Sequence, residues 1–345
     1  MKLTAGEIYF VGERDFKTKE VTPYVKIGIV REGAKGPRTS AERLDEHQTG
    51  NPRELFLIDV ISTPAVEEIE TRLHKLFARE GVSGEWFQFD DELLEVARYR
   101  AKKLRDEAQE NLFALEQADI FKKTLSNGEQ IEATDQAKQW LFTYSYANEL
   151  IKRSTKLKKE FESLMIESAE DLEEIDHILT KQTRTGSTFL NLERLEAVHP
   201  DVYVRFLITK QSLSQRFTVK AIRYADLNID MVEPGNFGLL DVFEEMLENI
   251  PTNKQAQDEL HEYYLLVLAA ESEALWNKQI AEAQLKTLCG ENEAIADVCS
   301  WGRKINEKLE FDIIAFQLEA PDLYAQFLEK RSDVEATIVD PKRGY

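Results

Sequence analysis

The chain has 345 residues, of which 42% are hydrophobic and 31% charged, with a formal net charge of −20 and two cysteines, Cys289 and Cys299. That length suits two or three domains, and two cysteines exclude a disulfide scaffold or a cysteine-built zinc site. The acidity by itself argues against nucleic acid, which is bound largely through Lys and Arg. No apolar run approaches the roughly 20 residues of a membrane span, and the opening MKLTAGEIYF has no apolar signal core. The expectation is a reduced, cytoplasmic chain with no membrane partner.

The charge is not evenly spread. Residues 1–90 hold 13 Lys+Arg against 16 Asp+Glu, a net charge of −3, while residues 91–345 hold 31 against 48, a net charge of −17. The acidity therefore describes the second part of the chain and says little about the first.

Three β-like runs open the chain: EIYFV from Glu7, YVKIGIV from Tyr24 and LFLIDVI from Leu55, with a shorter WFQF from Trp86. Alternation puts Ile8 and Phe10 on one face and Tyr9 on the other. Likewise Val25, Ile27 and Ile29 oppose Tyr24, Lys26 and Gly28. With the apolar sides inward, Tyr9, Tyr24 and Lys26 are expected on one surface, and Gly28 leaves room there for a ligand to approach. Between the second and third runs, Thr39-Ser40-Ala41-Glu42 fits a capping box. The helix it opens should stop at Gly50-Asn51-Pro52, with Arg43 and His47 on one face and Leu44 toward the core. A second helix is expected to open at Thr63-Pro64, burying Val66, Ile69, Leu73, Leu76 and Phe77. Glu70 and His74, four apart, then sit together at the margin of that stripe, as a carboxylate metal ligand with a polar neighbour or as a surface pair. The segment Gly33 to Arg38, with Arg31, Lys35 and Arg38, reads either as a phosphate-contacting loop or as a polar connector.

From Asp91 onward helical periodicity dominates. Leu93, Ala97, Ala101, Leu104, Ala108, Leu112 and Leu115 recur at steps of four and three, a turn follows at Ser126-Asn127-Gly128, and a second stripe runs through Trp140, Tyr144, Ala147 and Ile151. An antiparallel helical hairpin is expected. Its basic clusters at Arg98 to Arg105 and Lys152 to Lys159 are read as solvated faces paired with acids, with an extended DNA track as the alternative. Further on, PDVYVRFL from Pro200 matches PDLYAQFL from Pro321 at an offset of 121, and Asn191-Leu192 matches Asp312-Ile313. This predicts a duplicated unit of long helices, a short helix opened by Pro-Asp, and a short strand.

The whole reading is an α+β domain over 1–90, a small antiparallel sheet flanked by helices. A mainly α-helical region follows, with a hairpin and first repeat unit over 91–225 and a second unit and tail over 226–345.

The first part resembles the GIY-YIG nuclease superfamily, and within it the branch named for a phage T5 open reading frame. The match is carried in order by IYFV at Ile8, VKIG at Val25, ERLDEHQTGNP at Glu42, EIETRLHKLF at Glu68 and GEWF at Gly84. The resemblance implies metal-dependent hydrolysis of DNA phosphodiesters by Tyr9, Lys26, Arg43, Glu70 and His74. Glu70 would hold Mg²⁺ or Mn²⁺, Arg43 would stabilise the phosphorane, Tyr9 beside Lys26 or the metal would be acidic enough to help deprotonate water, and His74 would place the water or orient Glu70. Two departures stand out: Glu7 replaces the leading Gly of the first motif, and Lys26 replaces the Tyr of the second. The repeat is similar to segments found beside phage-type viral recombinases, which implies a setting in phage defence or recombination. The helical part is expected to dimerise, target or restrain the domain, or to bind a protein. The alternatives are the same fold kept as an inactive DNA-binding or protein-contact module, and an assembly protein in which the repeats do the work.

Overall fold

The computed structural model describes residues 1, 3–33, 39–167, 178–222, 235–247 and 254–341. The first part is built on β1 (Gly6–Arg14), β2 (Val21–Arg31), α1 (Ser40–Gln48), β3 (Glu54–Thr63), α2 (Val66–Leu76), β4 (Gly81–Ser83), β5 (Trp86–Gln88) and α3 (Asp91–Glu110). The strands form one antiparallel sheet in the order β3-β1-β2-β5-β4.

Both faces of this sheet are covered. On one, Ile8, Phe10, Val25 and Ile27 pack under Ile69 and Leu73 of α2, and Ala97, Ala101 and Leu104 of α3 join the same core. On the other, Tyr9, Val11, Val30 and Leu55 are buried, with Leu44 of α1 packed against them. Alternation thus assigned the two faces correctly. The expectation that Tyr9 lies on an open surface is overturned, because α1 lies over that face and leaves Tyr9 only 2% exposed.

The capping box at α1 is formed as read from the sequence, with Thr39 and Glu42 bonded to each other's backbone N–H, and Gly50 takes the left-handed φ of +86° that ends the helical segment. α2 starts later than expected. Its first residue is Val66, after Ala65, and the Thr63 hydroxyl instead accepts the Ala65 N–H at 3.3 Å.

The second part continues with α4 (Leu112–Phe121), β6 (Gln130–Ile131), α5 (Asp135–Glu167), β7 (Leu179–Arg184), β8 (Thr188–Leu190), α6 (Leu192–Val198), α7 (Pro200–Arg205) and β9 (Leu207–Val219). After it come α8 (Gly235–Leu247), α9 (Lys254–Cys289), β10 (Ala294–Ile295), β11 (Cys299–Phe311), α10 (Ile313–Glu319), α11 (Pro321–Gln326), β12 (Leu328–Lys330) and β13 (Val334–Val339). The repeat is larger than the motif that betrayed it. α5 and α9 occupy matching positions at the offset of 121, and so do the segments after them.

The two copies embrace. β9 pairs with β11 and β7 with β13, so the closing strand of each copy pairs with the opening strand of the other. Leu207 faces Phe311 and Leu190 faces Leu328, positions that exchange under the offset. The Asn191 N–H donates to the Phe327 carbonyl at 2.9 Å, and the Asp312 N–H to the Phe206 carbonyl at 2.8 Å. Leu195 and Phe206 of the first copy share one buried cluster with their counterparts Phe316 and Phe327. The unit is therefore a pseudo-two-fold pair inside one chain, and Asn191 and Asp312 cap corresponding short helices in it.

The expected hairpin is re-partnered. α5 packs antiparallel on α9, with Ala137 and Leu141 beside Leu285 and Cys289 at one end and Leu157 and Phe161 beside Leu260 and Tyr264 at the other. A local periodicity gives a buried stripe without saying which distant helix fills it. The basic clusters are paired with acids. Arg98 and Lys102 meet Asp59, Arg153 meets Asp241 and Glu244, and Lys158 meets Glu271. Both cysteines are buried and free. No helix among the described residues is long and apolar enough to cross a membrane.

The core of the first part also reaches into the second. Trp276 and Ile280 of α9 belong to the cluster that holds Ile8 and Phe10. The Arg72 guanidinium lies 4.6 Å from the Trp276 ring, and the Trp276 indole N–H donates to Glu107 at 2.7 Å.

Candidate active site

Four elements meet around Tyr9. β1 supplies Tyr9 itself, β2 supplies Lys26, α1 supplies Arg43 and His47, and α2 supplies Glu70. The pose of α1 is fixed at its start by Glu7, whose carboxylate accepts the Ser40 N–H at 2.9 Å and the Ser40 hydroxyl at 2.6 Å. Anchoring a helix N-terminus on a carboxylate is favourable for both hydrogen bonding and the helix dipole. Glu7 thus fastens the helix that carries Arg43.

Tyr9 faces Gly28 across the β1–β2 ladder. A Cβ at Gly28 would lie 2.5 Å from the Tyr9 hydroxyl and 2.6 Å from Cζ. The space left by Gly28 is therefore filled by the Tyr9 ring and not by a ligand, which corrects the expectation for this glycine. Gly28→Ala is expected to push the ring off the strand and destabilise the chain by about 1–3 kcal/mol, as overpacking does. A denaturation midpoint equal to that of the wild type would contradict this placement.

The Tyr9 hydroxyl lies 3.3 Å from His47 Nε2. Burial pushes the phenol above its ordinary pKa. The Arg43 hydrogen bond and charge pull it down, while the charges of Glu85 and Glu70 push it up again. Burial thus outweighs the pull of Arg43 on the phenol. Burial, with the charges of Lys26 and Arg43, lowers the pKa of His47. His47 is thereby kept neutral near pH 7 and able to accept a proton.

Lys26 is buried and paired with Glu85, which comes from the β4–β5 turn. Glu70 is partly buried, and burial first, then the charge of Glu85, pushes its carboxyl up to about 7, against the pull of Arg31 and Lys26. The unfolded chain ionises Glu70 in the ordinary carboxylate range, whereas the fold resists ionisation until about pH 7. The contribution of Glu70 to stability therefore falls as pH rises through that window. Glu70→Gln is expected to raise the melting temperature relative to wild type at pH 8 and to lose that advantage near pH 4. An advantage that grows toward acid would contradict the raised carboxyl.

His74 lies where α2 crosses β2. Its Nε2 lies 3.0 Å from the Ile27 carbonyl, so the proton sits on Nε2, and its ring lies 5.2 Å from that of Phe87. It ties α2 to β2 beside Lys26. Arg31 is paired with Glu67 of α2. Lys35 and Arg38 lie outside the described residues. Arg43 is within hydrogen-bond reach of Glu46, at 2.7 Å.

Two members of this cluster are absent from the sequence-derived site. His47 was visible as a residue sharing the Arg43 face. Glu85 carried no signal beyond its place in GEWF. Among the described residues no group of three or more His, Cys, Asp or Glu side chains is placed to hold a metal ion.

Residues 6–107 match the family model of the T5orf172 domain. The matched stretch takes in the whole sheet, α1, α2 and most of α3, and so runs past the boundary at residue 90 expected from composition. The T5orf172 domain points to a nuclease-like, DNA-binding role of a general kind. Comparison of the chain with curated proteins and with solved structures gives no match.

Proposed function

We propose that the T5orf172 domain is a divalent-metal-dependent DNA endonuclease whose site is built from Tyr9, His47, Lys26, Arg43 and Glu70. The observation that supports this most is the convergence of these side chains, from four elements spread along the sequence, into one electrostatically linked cluster around a buried phenol.

The donor set suits Mg²⁺ or Mn²⁺. Glu70 is a carboxylate destabilised by burial and by Glu85, and Mg²⁺ keeps most of its water and needs only one or two carboxylates. When bound, the ion supplies Lewis-acid stabilisation to the phosphate and to the leaving 3′-oxygen. Every other role falls to the chain. Arg43 donates to the phosphate oxygens as negative charge gathers there. His47, neutral and 3.3 Å from the Tyr9 hydroxyl, takes the phenol's proton, and the phenolate so formed removes a proton from the attacking water. Lys26, released from Glu85 by the phosphate, balances the charge of the phenolate. His74 holds α2, and with it Glu70, against β2.

The helical pair is the restraining and targeting body, with its surface open to a second copy or a protein partner. Its net charge of −17 over residues 91–345 repels a polyanion, which confines DNA to the near-neutral head. The test is incubation of the full chain with supercoiled plasmid and with single-stranded DNA under Mg²⁺, Mn²⁺ or EDTA. Metal-dependent cutting supports the reading. Salt-sensitive binding with no cutting under either metal would replace it with an inactive DNA-binding module.

A further inference from the structure

Beside Lys26, on the Tyr9 face of the sheet, lies a concavity of about 300 Å³, lined by Glu13, Tyr24, Asn51, Val82, Ser83 and Trp86. Its relation to the proposed site is fixed by register. Trp86 is directly opposite Lys26 on the β2–β5 ladder, and Tyr24, two residues before Lys26, projects to the same face, roughly 7 Å along the strand.

The walls have a definite chemistry. Tyr24 is 38% exposed, and among the described residues neither its ring nor that of Trp86 is stacked on another ring or a cation. The edge of the pocket offers donors. Asn51 Oδ1 accepts the Arg53 N–H at 2.9 Å, which orients the side-chain amide, and neither its NH₂ group nor the Ser83 hydroxyl is hydrogen-bonded among the described residues. Glu13 is paired with Arg53 at 3.4 Å and accepts the Thr22 hydroxyl at 3.1 Å, so its charge is compensated at the wall. Aromatic faces with hydrogen-bond donors at their rim, next to a phosphate site, fit a flat, uncharged heterocycle.

We propose that this pocket holds one unpaired nucleobase of the DNA strand whose neighbouring phosphate lies at Lys26 and Arg43. The inference rests on the nuclease reading and narrows its substrate. A base inside a duplex is stacked on both faces and paired, and it reaches such a pocket only by leaving the helix. The domain therefore acts on single-stranded or locally unpaired DNA.

The experiment measures binding of a short labelled single strand and of the matching duplex to the full chain in EDTA, by fluorescence anisotropy. Tyr24→Ala, Tyr24→Phe and the wild type are compared, and cleavage is read in parallel with Mg²⁺ on both forms. The single strand is expected to bind more tightly. Tyr24→Ala should weaken it about tenfold or more, as loss of base stacking does, leave the duplex unchanged, and be rescued by Tyr24→Phe. Equal affinity for the two forms, or an equal effect of Tyr24→Ala on both, would overturn the proposal. Tyr24-dependent single-strand binding without cleavage would keep the pocket and remove the nuclease reading. Glu70-dependent cleavage that ignores Tyr24→Ala would do the reverse.

Discussion

Glu70→Gln is expected to slow single-turnover DNA cleavage by about 10³-fold, and Arg43→Ala by about 10²–10³-fold, the range seen when a preorganised electrostatic stabiliser is removed. The Gln variant keeps the shape of the side chain and removes only its charge. The fold should not suffer, because burial and Glu85 already push the Glu70 carboxyl up to about 7. Loss of rate with a melting temperature equal to or above wild type at pH 8 would separate chemistry from folding. Arg43 acts at the other end of the same cluster, where its hydrogen bond and charge favour the ionised Tyr9. Its removal should cost rate twice over, through the transferring phosphate and through the base. A loss of less than tenfold for both variants would remove these residues from the chemistry.

Trp276→Ala is expected to lower the stability of the chain by about 3–5 kcal/mol, as large-to-small changes of buried aromatic residues do. Trp276 is 2% exposed and sits in the core shared by the sheet, α3 and α9. Its truncation opens a cavity there, leaves Glu107 without its indole donor, and uncovers the buried Arg72 guanidinium. An unmade bond and an uncovered charge add to the cavity. Urea denaturation followed by circular dichroism reads the effect. Because the residue joins the head to the body, the variant should also split one transition into two. A single transition displaced by under about 1 kcal/mol would show that α9 merely touches the head.

The parts of the fold that were legible in the sequence are those set by local chemistry. Alternation placed Ile8, Phe10 and Ile27 inside. Thr39 and Glu42 announced the start of α1, and the stripe of Ile69 and Leu73 announced α2. The repeated Pro-Asp motif disclosed a duplication whose full extent includes both long helices. What was not legible depends on pairings between distant segments. Helix α1 offers only Leu44 as an apolar contact to the second face, too weak a pattern to reveal that Tyr9 would be covered. The partner of α5 is α9, more than a hundred residues away, and no local periodicity encodes that choice.

The site divides in the same way. The ordered motifs brought Tyr9, Lys26, Arg43 and Glu70 to attention. Glu85 comes from a turn beside a three-residue strand, where neither spacing nor face can be read. Yet its charge acts on Tyr9, His47 and Glu70, and its carboxylate pairs with Lys26. Gly28 suggests an opening in sequence because a missing side chain looks the same whether a ligand or a neighbouring ring fills the space.

In the proposed mechanism Tyr9 and Glu70 work as one site on DNA. Its most direct test is single-turnover cleavage of one labelled DNA, with and without Mg²⁺, by the wild type, Tyr9→Phe, Glu70→Gln and the double variant. Residues that act as a unit are strongly non-additive. Mg²⁺-dependent cutting by the wild type is expected, with a double variant no slower than about the slower single variant. Losses that multiply, or cutting that persists in Glu70→Gln, would contradict it.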